Sequence, residues 1–231
     1  GRFRDGGDAT ITLRGTLEGR QEVYRYDVRF PPNAGGAVFV PRLWATRKIG
    51  ALLSAIRLHG EDPELIDSIV RLSIRYGIIT PYTSFLITED DIFTQRGVEE
   101  AQMMFEADAG ALAAPSGQAA VDAAESAAGL SGANAPMAAP TRSKGAGGVE
   151  LPAEAGEQAI RYAADRTFVW RDGMWIDTLY DADAMTPVEV IFLSDDYFDL
   201  LALDPAIGEF LALGEQVLFV WAGTAYQVVT G

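Results

Sequence analysis

A forty-residue stretch, 109–148, divides this chain. It holds 15 Ala, 7 Gly, 4 Ser and 3 Pro, and only Leu112, Val121, Leu130 and Met137 within it could anchor a core. Side chains this small bury too little apolar surface to offset the entropy of ordering the backbone. The stretch therefore reads as a linker or draped segment, with one or two helical turns over 119–128. Three parts are expected: 1–88, then 89–150 with a short helix and the linker, then 151–231.

The first part opens with β character. Residues 10–14 alternate, and 23–30 alternate more clearly, with Tyr24, Tyr26, Val28 and Phe30 on one face and Arg25, Asp27 and Arg29 on the other. Residues 15–19, Gly-Thr-Leu-Glu-Gly, read as the turn of an antiparallel hairpin with one buried face. Two strands are marginal alone in water, so that face, with Ile11 and Leu13, must pack on something.

A two-helix unit follows. Ala45, Ile49, Leu52, Leu53 and Ile56 fall on one helical stripe. Asp62-Pro63-Glu64 starts a second helix, Leu65, Ile69, Leu72 and Tyr76 continue it, and Gly77 ends it. Residues 78–87 read as an extended, β-branched segment, held to an edge or an irregular start by Pro81. A short helix is predicted over 98–105.

After the linker, strands are predicted at 160–164, 167–170, 174–180 and 188–193, with a tight turn at Arg171-Asp172-Gly173. Ser194-Asp195-Asp196 caps a helix through Leu203, Asp204-Pro205 starts another to about Leu213, and 216–229 form a hairpin. The fold class is α+β, with a small β-rich C-terminal domain.

Charge and residue usage exclude much. The 231 residues carry 33 acidic against 18 basic side chains, a net charge of −15. Sequence-independent binding to nucleic acid or to an anionic bilayer needs concentrated Lys and Arg, which argues against both. The absence of Cys excludes disulfides, thiolate zinc sites and a Cys nucleophile. The single His, His59, leaves almost no room for a His-based metal site or a Ser/His/Asp triad. Apolar runs are far shorter than the roughly 20 residues that span a bilayer, so no direct membrane insertion is expected. Residue 1 is Gly rather than Met, and the expectation is an internal piece of a longer chain.

Two spaced motifs carry a family resemblance. The block 40–49, VPRLWATRKI, is followed by 72–86, LSIRYGIITPYTSFL, in which Tyr76 and Thr80-Pro81-Tyr82-Thr83-Ser84 keep a Y-x-x-x-T-P-x-T-S spacing. This resembles the segment just downstream of the von Willebrand factor A domain in proteins with a VIT domain. The inter-α-trypsin inhibitor heavy chains and their bacterial relatives have that arrangement. The match covers about 37–88, and 166–177 onward are similar to the C-terminal part of the bacterial members. The resemblance implies an exported, extracytoplasmic, non-enzymatic module for adhesion or complex assembly. It implies as partner the upstream VIT/A-domain portion of the same precursor, or another protein. The family's metal-ion-dependent adhesion motif, Asp-x-Ser-x-Ser, is absent, so a divalent cation would belong to an upstream A domain and no cofactor is expected in this chain. The covalent-linkage motif at the C-terminus of animal heavy chains has no counterpart either.

The candidate partner interface is Tyr24, Tyr26, Val28, Phe30 and Trp44. Among the acidic clusters 89–91, 181–183 and 195–196, Asp181 and Asp183 are the best calcium candidates, although none has EF-hand spacing and helix caps or turns explain the acids as well. His59 fits a helix C-terminus, where a protonated ring is favoured by the dipole. The competing function is a carboxylate-dependent hydrolase of an extracytoplasmic polymer, with Glu154 and Glu157 as one formal pair. Ser84 and Thr80 lack a partner base, and Trp44, Trp170, Trp175 and Trp221 read as core, with Trp170 and Trp175 packing across a hairpin.

Overall fold

The computed structural model describes residues 6–17, 19–30, 37–80, 82–83, 91–109, 116–135 and 160–231. The fold is α+β, with six helices and eight strands among these residues. It divides into two compact units, Gly1–Ala37 and Val38–Gly231.

The first unit is an antiparallel ribbon of β1 (Gly7–Leu17) and β2 (Arg20–Phe30). Its turn is tighter than the predicted five residues. Gly15, Thr16 and Leu17 pair with Glu22, Gln21 and Arg20, so a two-residue connection closes the hairpin. The register places Ile11 opposite Tyr26 and Leu13 opposite Tyr24, which puts the predicted apolar residues on one face. That face is not buried: Ile11, Leu13, Tyr24 and Tyr26 are all exposed, while Val28 and Phe30 are half-buried.

In the second unit, α1 (Val40–His59) buries the predicted stripe of Ala45, Ile49, Leu52, Leu53 and Ile56. Helix α2 (Pro63–Tyr76) begins as predicted, with Asp62 Oδ1 accepting from the Glu64 amide at 2.8 Å. It ends at Gly77, whose φ of +58° only glycine adopts without strain. The described residues after it do not form the predicted strand. Residues 78–80 and 82–83 are instead buried without strand pairing, and the Thr80 amide donates to Thr83 Oγ1 at 2.7 Å and the Thr83 amide to Thr80 O at 3.1 Å. A threonine pair that satisfies backbone groups internally removes the need for a sheet partner. Pro81 and 84–87 lie outside the described residues. Helix α3 (Gln95–Ala109) extends the predicted short helix at both ends.

The small-residue stretch contains α4 (Gln118–Ser131), longer than the predicted one or two turns, and this helix is part of the core rather than a link. Ala123, Ala127 and Leu130 are buried with Ile49 and Leu53 of α1. A Cβ at Gly50 would lie 2.5 Å from the Ser131 amide nitrogen and 2.8 Å from Ala127 O, so the two helices approach at backbone distance. Small residues were read as unable to bury surface; here they let two backbones close on one another. Arg47 Nε fixes the end of α4 by donating to Ala133 O at 2.7 Å.

The C-terminal part is a six-stranded mixed sheet of β3 (Ile160–Ala163), β4 (Arg166–Arg171), β5 (Met174–Asp177), β6 (Val188–Ile191), β7 (Val217–Trp221) and β8 (Thr224–Val229). Its order is β3-β4-β5-β7-β8-β6, with β5–β7 and β6–β8 parallel. Ile160 and Val169 on one face join the core of α1 to α4. Phe168, Val217, Phe219 and Val228 on the other pack with Ile207 and Phe210 under α5 (Asp195–Leu203) and α6 (Pro205–Leu211). The sheet and the four N-terminal helices thus share a core, and the expected boundaries at 88 and 150 do not separate compact bodies. The helix stripes are covered within the chain. Of the four tryptophans read as core, only Trp175 is buried; Trp221 is half-buried, and Trp44 and Trp170 are exposed. Trp170 does pair with Trp175 across the β4–β5 hairpin, with ring centroids 5.1 Å apart.

The α1–α4 contact has a direct test. Alanine for glycine inside an exposed helix stabilises by roughly 0.5–1 kcal/mol. Gly50→Ala is expected to destabilise instead, by about 1–3 kcal/mol, because the added methyl must displace α4. Urea unfolding of the two proteins measures the sign.

Candidate functional site

A cleft of about 280 Å³ opens where three sequence-distant segments meet. Helix α2 supplies Arg71 and Arg75, one turn apart on the same face. Phe93, Thr94 and Gln95 come from the start of α3, and Thr178 to Asp181 from the connection leaving β5. Backbone bonds hold the walls together. Thr178 Oγ1 donates to Arg75 O at 2.9 Å, and the Ala182 amide to Phe93 O at 2.9 Å. The Phe93 and Tyr180 rings pack with centroids 6.4 Å apart.

The charges here are partly committed to structure. Arg71 Nε is 2.8 Å from Asp67 Oδ1, which also accepts from Gln102 Nε2 at 2.6 Å. Arg75 Nε is buried without a hydrogen-bond partner. Asp183 Oδ2 accepts from the Gln95 amide at 2.7 Å, capping α3. Asp181 Oδ1 accepts from the amides of Asp183 and Ala184 at 3.0 and 3.1 Å. The two calcium candidates thus serve as turn and cap acceptors, and no group of three or more His, Asp or Glu suited to a metal occurs among the described residues. Asp195 and Asp196 lie in the first turn of α5. Glu89, Asp90, Ser84, Glu154 and Glu157 lie outside the described residues.

Close to the cleft, Asp177 ends β5 and is fully buried. Burial raises its pKa; the Leu179 amide, Arg166, the Val220 amide and the Arg75 charge oppose that rise. Its oxygens accept from Leu179 N at 3.0 Å, Val220 N at 3.3 Å and Arg166 Nη1 at 3.3 Å, so one carboxylate ties β5 to β7 and to the loop that lines the cleft. Outside the cleft, Arg42 lies 3.6 Å from the Tyr162 ring centroid, while Tyr162 Oη donates to Gly77 O at 3.1 Å. Burial raises the Tyr162 pKa, with Arg42 opposing.

The five predicted interface residues fall in both units. Tyr24, Tyr26, Val28 and Phe30 belong to the ribbon unit, and Trp44 belongs to α1 in the other, its ring 6.5 Å from that of Tyr76. His59 is exposed in the last turn of α1, as expected of a helix C-terminus. Sequence reading missed the cleft. The spacing of Arg71 and Arg75 is visible in the sequence, but nothing local signals that 178–181 lies against them. No helix among the described residues is long and apolar enough to cross a membrane. No family model matches this chain, and no curated protein or solved structure matches it.

Asp177 provides a pH signature. Its folded-state pKa lies above the unfolded value of 3.8, so the folded protein holds the proton more tightly. Its contribution to stability therefore declines as pH rises from 3.8 through the raised pKa. Asp177→Asn removes that titration. The stability of the wild type relative to the variant is expected to grow as pH falls through this window and to level off below it. Urea titrations between about pH 3 and pH 7 measure the difference.

Proposed function

We propose that this chain is a non-enzymatic interaction module, the C-terminal part of an exported protein of the VIT/von Willebrand A type. The observation that carries the reading is the β1–β2 ribbon. Its Ile11, Leu13, Tyr24 and Tyr26 share one face and stay 49%, 57%, 48% and 53% exposed. Apolar surface is worth about 25 cal/mol per Å² when removed from water, so a partner that covers this face gains affinity from it. Large aromatic side chains at the centre of a patch are typical binding anchors. The partner is the VIT/A-domain portion of the same precursor, and any divalent cation belongs to that portion. The working location is extracytoplasmic. The family resemblance of 40–49 and 72–86 supports both statements.

The test uses the unaltered chain and the Tyr24→Glu, Tyr26→Glu double variant, each titrated with the upstream portion of its precursor by calorimetry. The unaltered chain is expected to bind, and the double variant to bind at least about tenfold more weakly, since two buried aromatic anchors exceed 1.4 kcal/mol. Thermal unfolding of the second unit should be the same in both. Absence of binding by the unaltered chain, or equal binding by the variant, overturns the proposal.

A further inference from the structure

The last 60 residues, 172–231, contain 11 acidic side chains and no Lys, Arg or His. A third of the chain's acidic side chains thus lie in a segment with no basic residue to offset them. Strand β6 is the terminal strand: it pairs with β8 on one side, and no described strand pairs with its other side. The Phe192 amide donates to Val229 O at 2.8 Å, toward β8. Backbone groups alternate sides along a parallel strand, so the amides of Glu189 and Ile191 face the open edge.

The edge strand is four residues long and carries one charged side chain, the exposed Glu189, with Pro187 just before it. Its exposed apolar side chains are Val188 and Ile191, with Leu193 just beyond and Phe198 on α5. Phe198 is not isolated. Its ring centroid is 5.4 Å from that of the buried Tyr197, which is 5.3 Å from that of the half-buried Phe192. Around these four lie the exposed carboxylates of Glu189, Asp195, Asp196 and Asp199.

We infer that the β6 edge and the adjoining face of α5 form a docking site for an extended, basic segment of a partner polypeptide, which adds to the sheet as a seventh strand. Backbone hydrogen bonds to Glu189 and Ile191 supply a sequence-tolerant part of the affinity. Strand alternation puts Val188 on the α5 side of the sheet and Glu189 and Ile191 on the other, so apolar residues of the segment meet Val188 and Phe198 on one face and Ile191 on the other, and its basic residues meet the carboxylates beside them. The charge selects the occupant. A second copy of this acidic edge would meet like charges, and an acidic peptide or an anionic bilayer would be repelled. This inference is independent of the ribbon.

The probe is an eight-residue peptide alternating Lys and Val, titrated into the full chain by calorimetry and by amide NMR. Two controls are a peptide alternating Glu and Val, and the Lys/Val peptide with two central residues replaced by Pro. The basic peptide is expected to bind and to shift the amides of Glu189 and Ile191. The acidic and the proline-containing peptides should each bind at least about tenfold more weakly. Ile191→Lys, on an exposed side chain, should weaken binding by a similar factor without changing the thermal midpoint. Asp196→Lys, which leaves the strand intact, should weaken it less and reduce its salt dependence.

Three results overturn the inference. One is no binding of the basic peptide at millimolar concentration. Another is equal binding of the proline-containing peptide, which indicates charge attraction without strand addition. The third is concentration-dependent self-association abolished by Ile191→Lys, which assigns the edge to a second copy.

Discussion

The second unit depends on burying Ile160 and Val169 against helices that precede them by more than fifty residues. With Tyr162 and Ile176, these two residues place this face of the sheet against the helices. The reward for closing so long a loop is apolar burial, whereas the entropic cost of closure rises only logarithmically with length. Two polar contacts fix the alignment of the layers: Tyr162 Oη to Gly77 O and Thr178 Oγ1 to Arg75 O. Both acceptors sit in or just past the last turn of α2, where carbonyls lack intrahelical partners, so the sheet acts as the cap of that helix end. A Cβ on Gly77 would come 2.8 Å from Thr167 Cγ2, so the same glycine that ends the helix also admits β4.

The cleft follows from this arrangement. Once α2 ends over the sheet, the chain leaving β5 must pass beside Arg71 and Arg75. Asp177 anchors that passage through amides of two segments and a guanidinium, at the expense of holding a carboxylate out of water. The acids nearest the cleft, Asp181 and Asp183, are consumed in ordering the loop and in starting α3. Arg75 Nε, buried at the cleft, keeps no hydrogen-bond partner among the described residues. The ribbon presents aromatic side chains with near-balanced charge, while the end of the sheet presents apolar side chains among carboxylates alone. The two faces differ in chemistry.

Much of the local structure was legible. The stripe of α1, the Asp62 cap and Gly77 stop of α2, the Ser194 cap of α5 and the Asp172-Gly173 turn all rest on interactions within a few residues, so pattern and propensity suffice. The ribbon's face was legible for the same reason, because strand alternation fixes which residues share it. Its exposure was not, since alternation indicates that a face is apolar without showing whether anything covers it. Helix α4 was misread because composition was taken as a measure of hydrophobic content. Ala127 and Ser131 contribute through closeness to Gly50, a quantity that has no signature in α4's own sequence.

The amino-acid order thus settled where most elements begin and end and which side of each is apolar. Three-dimensional packing settled the rest: the parallel pairings of β5 with β7 and β6 with β8, the sharing of one core across 89–150, the meeting of Arg75 with Thr178, and the exposure of Trp44 and Trp170. The division has a physical cause. Caps, turns and periodicity draw their free energy from neighbours in sequence, whereas pairing between distant segments depends on shape complementarity and loop closure, which no single window of the chain contains.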